Sequence, residues 1–158
     1  MTSVISRRVW VLQSAQLIGG SCLCQALLGG TQEHSTCCFT PELEPASLTL
    51  EEKRLIIDLA QAESLRPVGS AANVINKEKS LDIIVVHFQK GRYAVLSGLC
   101  THAFRPLSYV HSRGLLQCNN YGHSLFDLKG TVVKGPAPNA LKSYGVALAN
   151  GKLEINLE

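Results

Sequence analysis

Cysteine is missing from most of this chain: none lies between Cys38 and Cys100, and none follows Cys118. A domain stapled by disulfides would spread its cysteines through the fold, so that class is set aside. A surplus of charge is missing too. Residues 31–158 carry 13 basic side chains against 12 acidic ones, with no basic stripe of the kind a nucleic-acid groove requires, which excludes nucleic acid as a partner. Glycine and proline, at 13 and 6, are too few for a fibrous or low-complexity chain, while 46% apolar residues suffice for a core. Helical periodicity is absent after Pro67, and there is no internal repeat. At 158 residues, what remains is one domain with additions on its N-terminal side.

Residues 1–30 lack any acidic group. Paired Arg7 and Arg8 precede 22 uncharged residues, 9–30, in the order of an export signal: basic region, apolar region, small residues. Ser6-Arg7-Arg8-Val9-Trp10-Val11 is similar to the twin-arginine signal, with Trp10 where phenylalanine is usual. A helix buried in a core would carry a polar stripe, and none is present. No A-x-A site precedes Thr31, and Gly19 stands where a lipoprotein signal needs an apolar residue before Cys22. Because a helix rises about 1.5 Å per residue, the segment is long enough for a hydrocarbon core of roughly 30 Å. The expectation is an uncleaved anchor through residues 9–30, arginines inside, the rest on the outer face of a bacterial-type membrane.

Residues 31–48 are polar, contain Pro41 and Pro45, and read as a linker, in which the adjacent Cys37 and Cys38 are incidental. Thr49-Leu50-Glu51-Glu52 has the form of a capping box, and Leu55, Ile56, Leu59 and Ala62 recur at helical spacing as far as Pro67. An amphipathic helix over 49–67, packed on the domain, is therefore expected. From residue 68 the pattern is short strands. "DIIVVHF" and "YAVLSG" flank a turn at "QKGR"; "GLLQC", "SLFDL", "TVV", "YGVALAN" and "KLEINL" follow, with turns at Lys129-Gly130 and Asn150-Gly151. Residues 68–158 thus form an all-β domain, a small antiparallel sandwich or barrel. His87, alone in an apolar strand, is structural, and His111 faces solvent.

Chemistry concentrates in "CTHAFRPLSYVHSRGLLQCNNYGHSLFDL". Cys100-x-His102 and Cys118-x4-His123, with 15 residues between His102 and Cys118, supply two thiolates and two imidazoles from two loops. Tetrahedral zinc accepts that set and would be redox-silent. A 2Fe-2S cluster accepts it with two cysteines on one iron and two histidines on the other.

C-T-H, fifteen residues, then C resembles the first part of the Rieske iron–sulfur signature. "SLFDLKG" is similar to the S-x-F-D-x-x-x-G that follows the second ligand loop, "GPAPNALKSY" to the proline-rich loop over the cluster, and "YGVALANGKLEINL" to the closing hairpin. "VVHFQKGRYAVLSGLCTH" is similar to the approach to the first loop, so the likeness covers about residues 68–158. It implies a Rieske-like fold with two cluster-binding hairpin loops, a 2Fe-2S cofactor, and Cys100, His102, Cys118 and His123 as ligands. It implies one-electron transfer to a redox protein or membrane complex, as a subunit rather than a stand-alone catalyst.

The second loop departs from the family's C-x-x-H-G. Counted from Cys118, Tyr121 stands at the histidine position; counted back from Phe126, Gly122 does. Three readings stay open: a longer loop brings His123 to the iron, Tyr121 or solvent completes an altered site, or the fold is degenerate and binds zinc or nothing as a tethered binding module. Phe104 replaces the usual glycine after C-x-H. Arg105 and Asn120 lie near the positions where quinol-oxidising members place a disulfide, so the loops resemble those of Rieske-type ferredoxins. Phe126 lacks the hydroxyl of high-potential members and leaves Ser124 as a donor, which implies a lower potential.

Overall fold

Strand alternation decides the architecture, and β4 (Leu81–Gln89) shows it best. Its Ile83, Ile84, Val85 and Val86 are all fully buried. Successive side chains of a strand point to opposite faces, so such a run needs a core on each side. Two cores exist. Ile83 and Val85 join Leu55, Ile57, Leu153 and Ile155 in the first, while Ile84 and Val86 join Leu107, Leu116, Phe126 and both Cys100 and Cys118 in the second. Each fully buried Ile or Leu contributes roughly 1.5–3 kcal/mol.

The computed structural model describes residues 40–120 and 123–158. These hold eleven strands and no α-helix. Besides β4 they are β1 (Leu48–Leu50), β2 (Arg54–Asp58), β3 (Ala71–Asn76), β5 (Arg92–Ser97), β6 (Leu107–Val110), β7 (Leu115–Cys118), β8 (Leu125–Phe126), β9 (Val132–Lys134), β10 (Ser143–Ala149) and β11 (Lys152–Asn156). Seven form an antiparallel sheet in the order β1-β2-β11-β10-β5-β4-β3, and four form a second sheet, β6-β7-β8-β9. β10 makes the corner of the larger sheet. Its Ser143 and Tyr144 pair with β5, whereas Gly145 to Ala149 pair with β11. The sheet curls around the first core, and residues 98–142 form an inserted lobe that closes the second core against β4 and β5. The all-β expectation holds.

The β10–β11 hairpin closes through Asn150 and Gly151 at φ +50° and +74°. Two positive-φ residues in a two-residue loop match the right-handed twist of the flanking strands, and Asn-Gly adopts them at low cost.

The expected helix over 49–67 is replaced by the β1–β2 hairpin and a 3-10 turn at Glu63–Leu65. Leu55 and Ile57 are buried and Arg54 exposed, a period of two, because β2 pairs with β11 through Leu55↔Ile155 and Ile57↔Leu153. Thr49 and Glu52 are exposed, and the turn closes instead through Glu51 N–H donating to Arg54 O at 2.8 Å. Long-range pairing overrides the local helical signal. The same pairing moves the edge of the domain to before residue 68. Leu43 is buried in the first core, and Asn73 N–H donates to Pro41 O at 2.7 Å, so the last part of the expected linker belongs to the fold. Residues 1–39, with the expected signal, apolar helix and Cys37–Cys38 pair, lie outside the described residues. Among the described residues no helix is long and apolar enough to cross a membrane.

Candidate metal centre

The inserted lobe builds the site from two loops at one end of the small sheet. The first leaves β5 and turns sharply: Cys100 N–H donates to Arg105 O and Phe104 N–H donates to Cys100 O, both at 2.9 Å. Phe104 takes φ +51°, a left-handed conformation that costs a side-chain-bearing residue roughly 1–2 kcal/mol relative to glycine. Glycine would occupy this position without strain. The second loop leaves β7 at Cys118, whose N–H donates to Ser124 O at 2.9 Å, and His123 N–H donates to Asn120 O at 3.0 Å. His123 sits at φ +39°, again left-handed.

Cys100 and Cys118 meet. Both thiols are free, and both side chains are buried in the second core. Burial is the main cause that pushes the Cys118 thiol up to about 11; the bond to Cys100 and its charge push the same way, while the Asn120 N–H and the Arg105 guanidinium pull it down. Without a metal, Cys118 stays protonated at neutral pH, and a metal would take it as thiolate with release of the proton. Asn120 N–H already donates to this sulfur. Such a donor stabilises negative charge there and tunes a bound metal.

The imidazoles stand apart. His102 is exposed, two residues from buried Cys100, and His123 is exposed, five from buried Cys118. His123 Nδ1 lies 3.3 Å from both Gln117 Nε2 and Cys118 O, so the ring folds back along β7. Among the described residues no three His, Cys, Asp or Glu side chains converge as metal ligands. Tyr121 and Gly122 lie outside the described residues. The donor chemistry nevertheless fits a mixed-ligand cluster. Two thiols converge in an apolar floor, and each is followed by a solvent-exposed imidazole whose reorientation breaks no buried packing.

A third segment covers the site. Thr101 Oγ1 donates to Asn139 O at 2.7 Å, tying the first loop to the proline-rich stretch 135–144. Ala137 N–H donates to the Ser124 hydroxyl at 3.2 Å, which leaves the hydroxyl hydrogen to be given elsewhere. Gly135, at φ +105°, lies so close to Ser124 that a Cβ would sit 2.6 Å from Ser124 Cα. Sequence reasoning missed Gln117 and Thr101, and saw in Arg105 only the lack of a cysteine. Their roles depend on loop contacts that spacing does not show.

Among the described residues, the two histidines outside the constellation, His87 and His111, are structural and solvent-facing as expected. His87 is buried in β4, with Nδ1 2.9 Å from Leu65 O and its ring stacked on Tyr93 at 4.3 Å. His111 is exposed, 3.3 Å from the Tyr109 hydroxyl.

The model of the Rieske [2Fe-2S] domain family matches residues 56–145, more than half of the chain. The chain belongs to the Rieske family. Its cofactor is a 2Fe-2S cluster. The cytochrome b6-f complex iron-sulfur subunit of Chlorobaculum tepidum is 25% identical over 95 residues, 57% of this chain and 52% of that protein. The chain therefore spans about half the length of this relative. The ferredoxin of carbazole 1,9a-dioxygenase from Nocardioides aromaticivorans is similar in structure, with a TM-score of 0.54 and 20% identity over 65% of this chain and 95% of that one. A complex of reduced oxygenase and oxidized ferredoxin in carbazole 1,9a-dioxygenase matches with a TM-score of 0.54 and 16% identity, covering 65% of this chain and 94% of that chain. At these identities the structural matches speak to the Rieske fold alone.

Proposed function

We propose that this chain is a one-electron carrier in which Cys100 and Cys118 hold one iron as thiolates and His102 and His123 hold the other through imidazole nitrogen. The pair of thiols buried in one core at the base of two histidine-bearing loops carries the reading. Cys118-x4-His123 replaces the family's shorter spacing, and the left-handed backbone at His123 turns the chain back towards β7, within reach of Cys118. Exposed imidazole edges make the electron exit and the place where a redox partner docks. Residues 9–30 tether the domain to the outer face of the membrane after twin-arginine export, which carries folded proteins and so suits a cofactor inserted beforehand. The chain would serve as a subunit of a respiratory or oxidase complex. With no cysteine in the first loop beyond Cys100 or in the second beyond Cys118, no inter-loop disulfide can form, which favours the ferredoxin-like over the quinol-oxidising subclass.

Electron paramagnetic resonance of dithionite-reduced protein, with iron and zinc quantified in the same sample, tests the assignment. A rhombic mixed-ligand signal is expected, lost in His123→Ala and kept in Tyr121→Phe. Loss in Tyr121→Phe instead would move the fourth ligand to Tyr121. Iron-free, colourless protein from anaerobic preparations would leave a zinc-stabilised or metal-free binding module.

A further inference from the structure

We propose that the site end of the inserted lobe docks an acidic redox protein, with Phe104 seated in an apolar recess of that partner and Arg105 and Lys134 beside it. The proposal rests on the electron-carrier reading and adds the chemistry of the partner.

Phe104 carries the argument. It is 75% exposed, more than Val133 at 54%, Val68 at 49% or any other large exposed hydrophobic among the described residues. It also holds a left-handed backbone at φ +51°, two residues from His102. A bulky ring in water, on a strained backbone that glycine would relax, gains nothing within the monomer. A partner that covers the ring supplies the missing burial. Aromatic side chains presented this way are common interface anchors.

Charge selects the partner. The lobe, residues 98–142, bears Arg105, Arg113, Lys129, Lys134 and Lys142 against a single acid, Asp127, while the rest of 40–158 bears eight basic and ten acidic groups. The β6–β7 and β8–β9 turns place Arg113 and Lys129 at the far end of the small sheet; Cys118, Leu125 and Lys134 lie at the site end, where Lys134 pairs with Leu125. Segments 99–108, 117–120, 123–126 and 133–140, which meet there, hold Arg105 and Lys134 and no carboxylate. An oxidised cluster of two ferric ions, two sulfides and two thiolates has no net charge and leaves that sign unchanged. A small positive field around an apolar knob steers an acidic protein and releases it again. Binding to an anionic membrane surface calls on clusters of about four to eight cations, more than this end holds.

The test uses the full chain with its cluster confirmed by colour and paramagnetic resonance. Reduced flavodoxin, an acidic protein, gives one electron to the oxidised cluster, where one ferric ion takes it. Cytochrome c, a basic protein, takes one electron back from the reduced cluster. Stopped-flow rates should fall with added salt for flavodoxin and rise for cytochrome c, and Lys134→Glu should weaken both trends. Phe104→Gly should lower the flavodoxin rate about tenfold with the salt trend and cluster signal intact. Phe104→Asn, which also tolerates the left-handed backbone, should do the same. Wild-type rates in both Phe104 variants, or the same salt trend for both partners, would overturn the proposal while the electron-carrier reading stands. If phosphatidylglycerol vesicles instead protect the amides of residues 99–108 from hydrogen exchange, and the Phe104 variants lose that protection with flavodoxin rates untouched, the surface belongs to a membrane and the proposal is overturned too. Absence of the cluster signal in wild-type protein would instead overturn the carrier reading itself.

Discussion

The curled sheet and the inserted lobe share a wall, β4 and β5, yet they are built to different ends. The buried residues of the sheet's core are all aliphatic, Ile57, Val85, Leu153 and Ile155 among them, and the sheet carries a slight excess of acid. The lobe closes its core with Phe126, Leu107 and Leu116 but commits two buried positions to thiols, and its excess is basic. Among the described residues, its two left-handed non-glycine residues, Phe104 and His123, stand in the loops beside the thiols, whereas those of the sheet, Ser80 and Asn150, stand in hairpin turns. The contrast teaches that stability is kept in one part and reactivity in the other. Strained, polar or reactive positions persist where the surrounding structure over-determines them.

The sharpest way to break that comparison is to open one core at a time. Phe126→Ala should destabilise the domain by about 3–5 kcal/mol and Ile57→Ala by about 2–5 kcal/mol, the spread reflecting how far each cavity collapses. Native-state hydrogen exchange then distinguishes them. Phe126→Ala should lose protection first in β6 to β9, with β2 and β11 still protected, and Ile57→Ala should show the reverse. Equal loss of protection everywhere in both variants would mean that the two parts are one cooperative unit.

A smaller effect is expected where the proline-rich cover meets the lobe. In Gly135→Ala the new methyl would meet backbone at Ser124, 2.6 Å away, and the residue would keep φ +105°. Overpacking of this kind costs about 1–3 kcal/mol. The cover should lift, so the cluster should bleach faster on exposure to chelator in air while thermal unfolding of the large sheet shifts little. Unchanged bleaching would show that 135–144 does not shield the site.

How much of this was visible in the sequence varies with how local the signal is. The hairpins 81–97 and 143–156 were legible because alternation and Asn150-Gly151 are written within a few residues. The thiol pair was legible through Cys100-x-His102 and the spacing to Cys118. Residues 49–67 were misread because Leu55, Ile56, Leu59 and Ala62 satisfy a helical period as well as Leu55 and Ile57 satisfy a strand, and the deciding partner, β11, lies about a hundred residues away. The rest positions of the imidazoles were not legible either. They depend on the two tight loops and on Gln117 beside His123.

The smallest effect concerns the tie between the two loops that cover the site. Thr101→Val keeps shape and removes the hydroxyl that donates to Asn139 O at 2.7 Å. A net hydrogen bond contributes about 0.5–1.5 kcal/mol, and Asn139 is exposed enough for water to replace the lost donor, so the lower half of that range is expected. Global unfolding in denaturant should barely move. Hydrogen exchange at Ala137 and Leu141, whose amides bond to Ser124 and Gly130, should speed up, since the cover would have lost its tie to the first loop. If exchange there is unchanged, the Gly135 contact and those two bonds hold the cover by themselves. The lobe would then be as firmly built as the sheet that supports it.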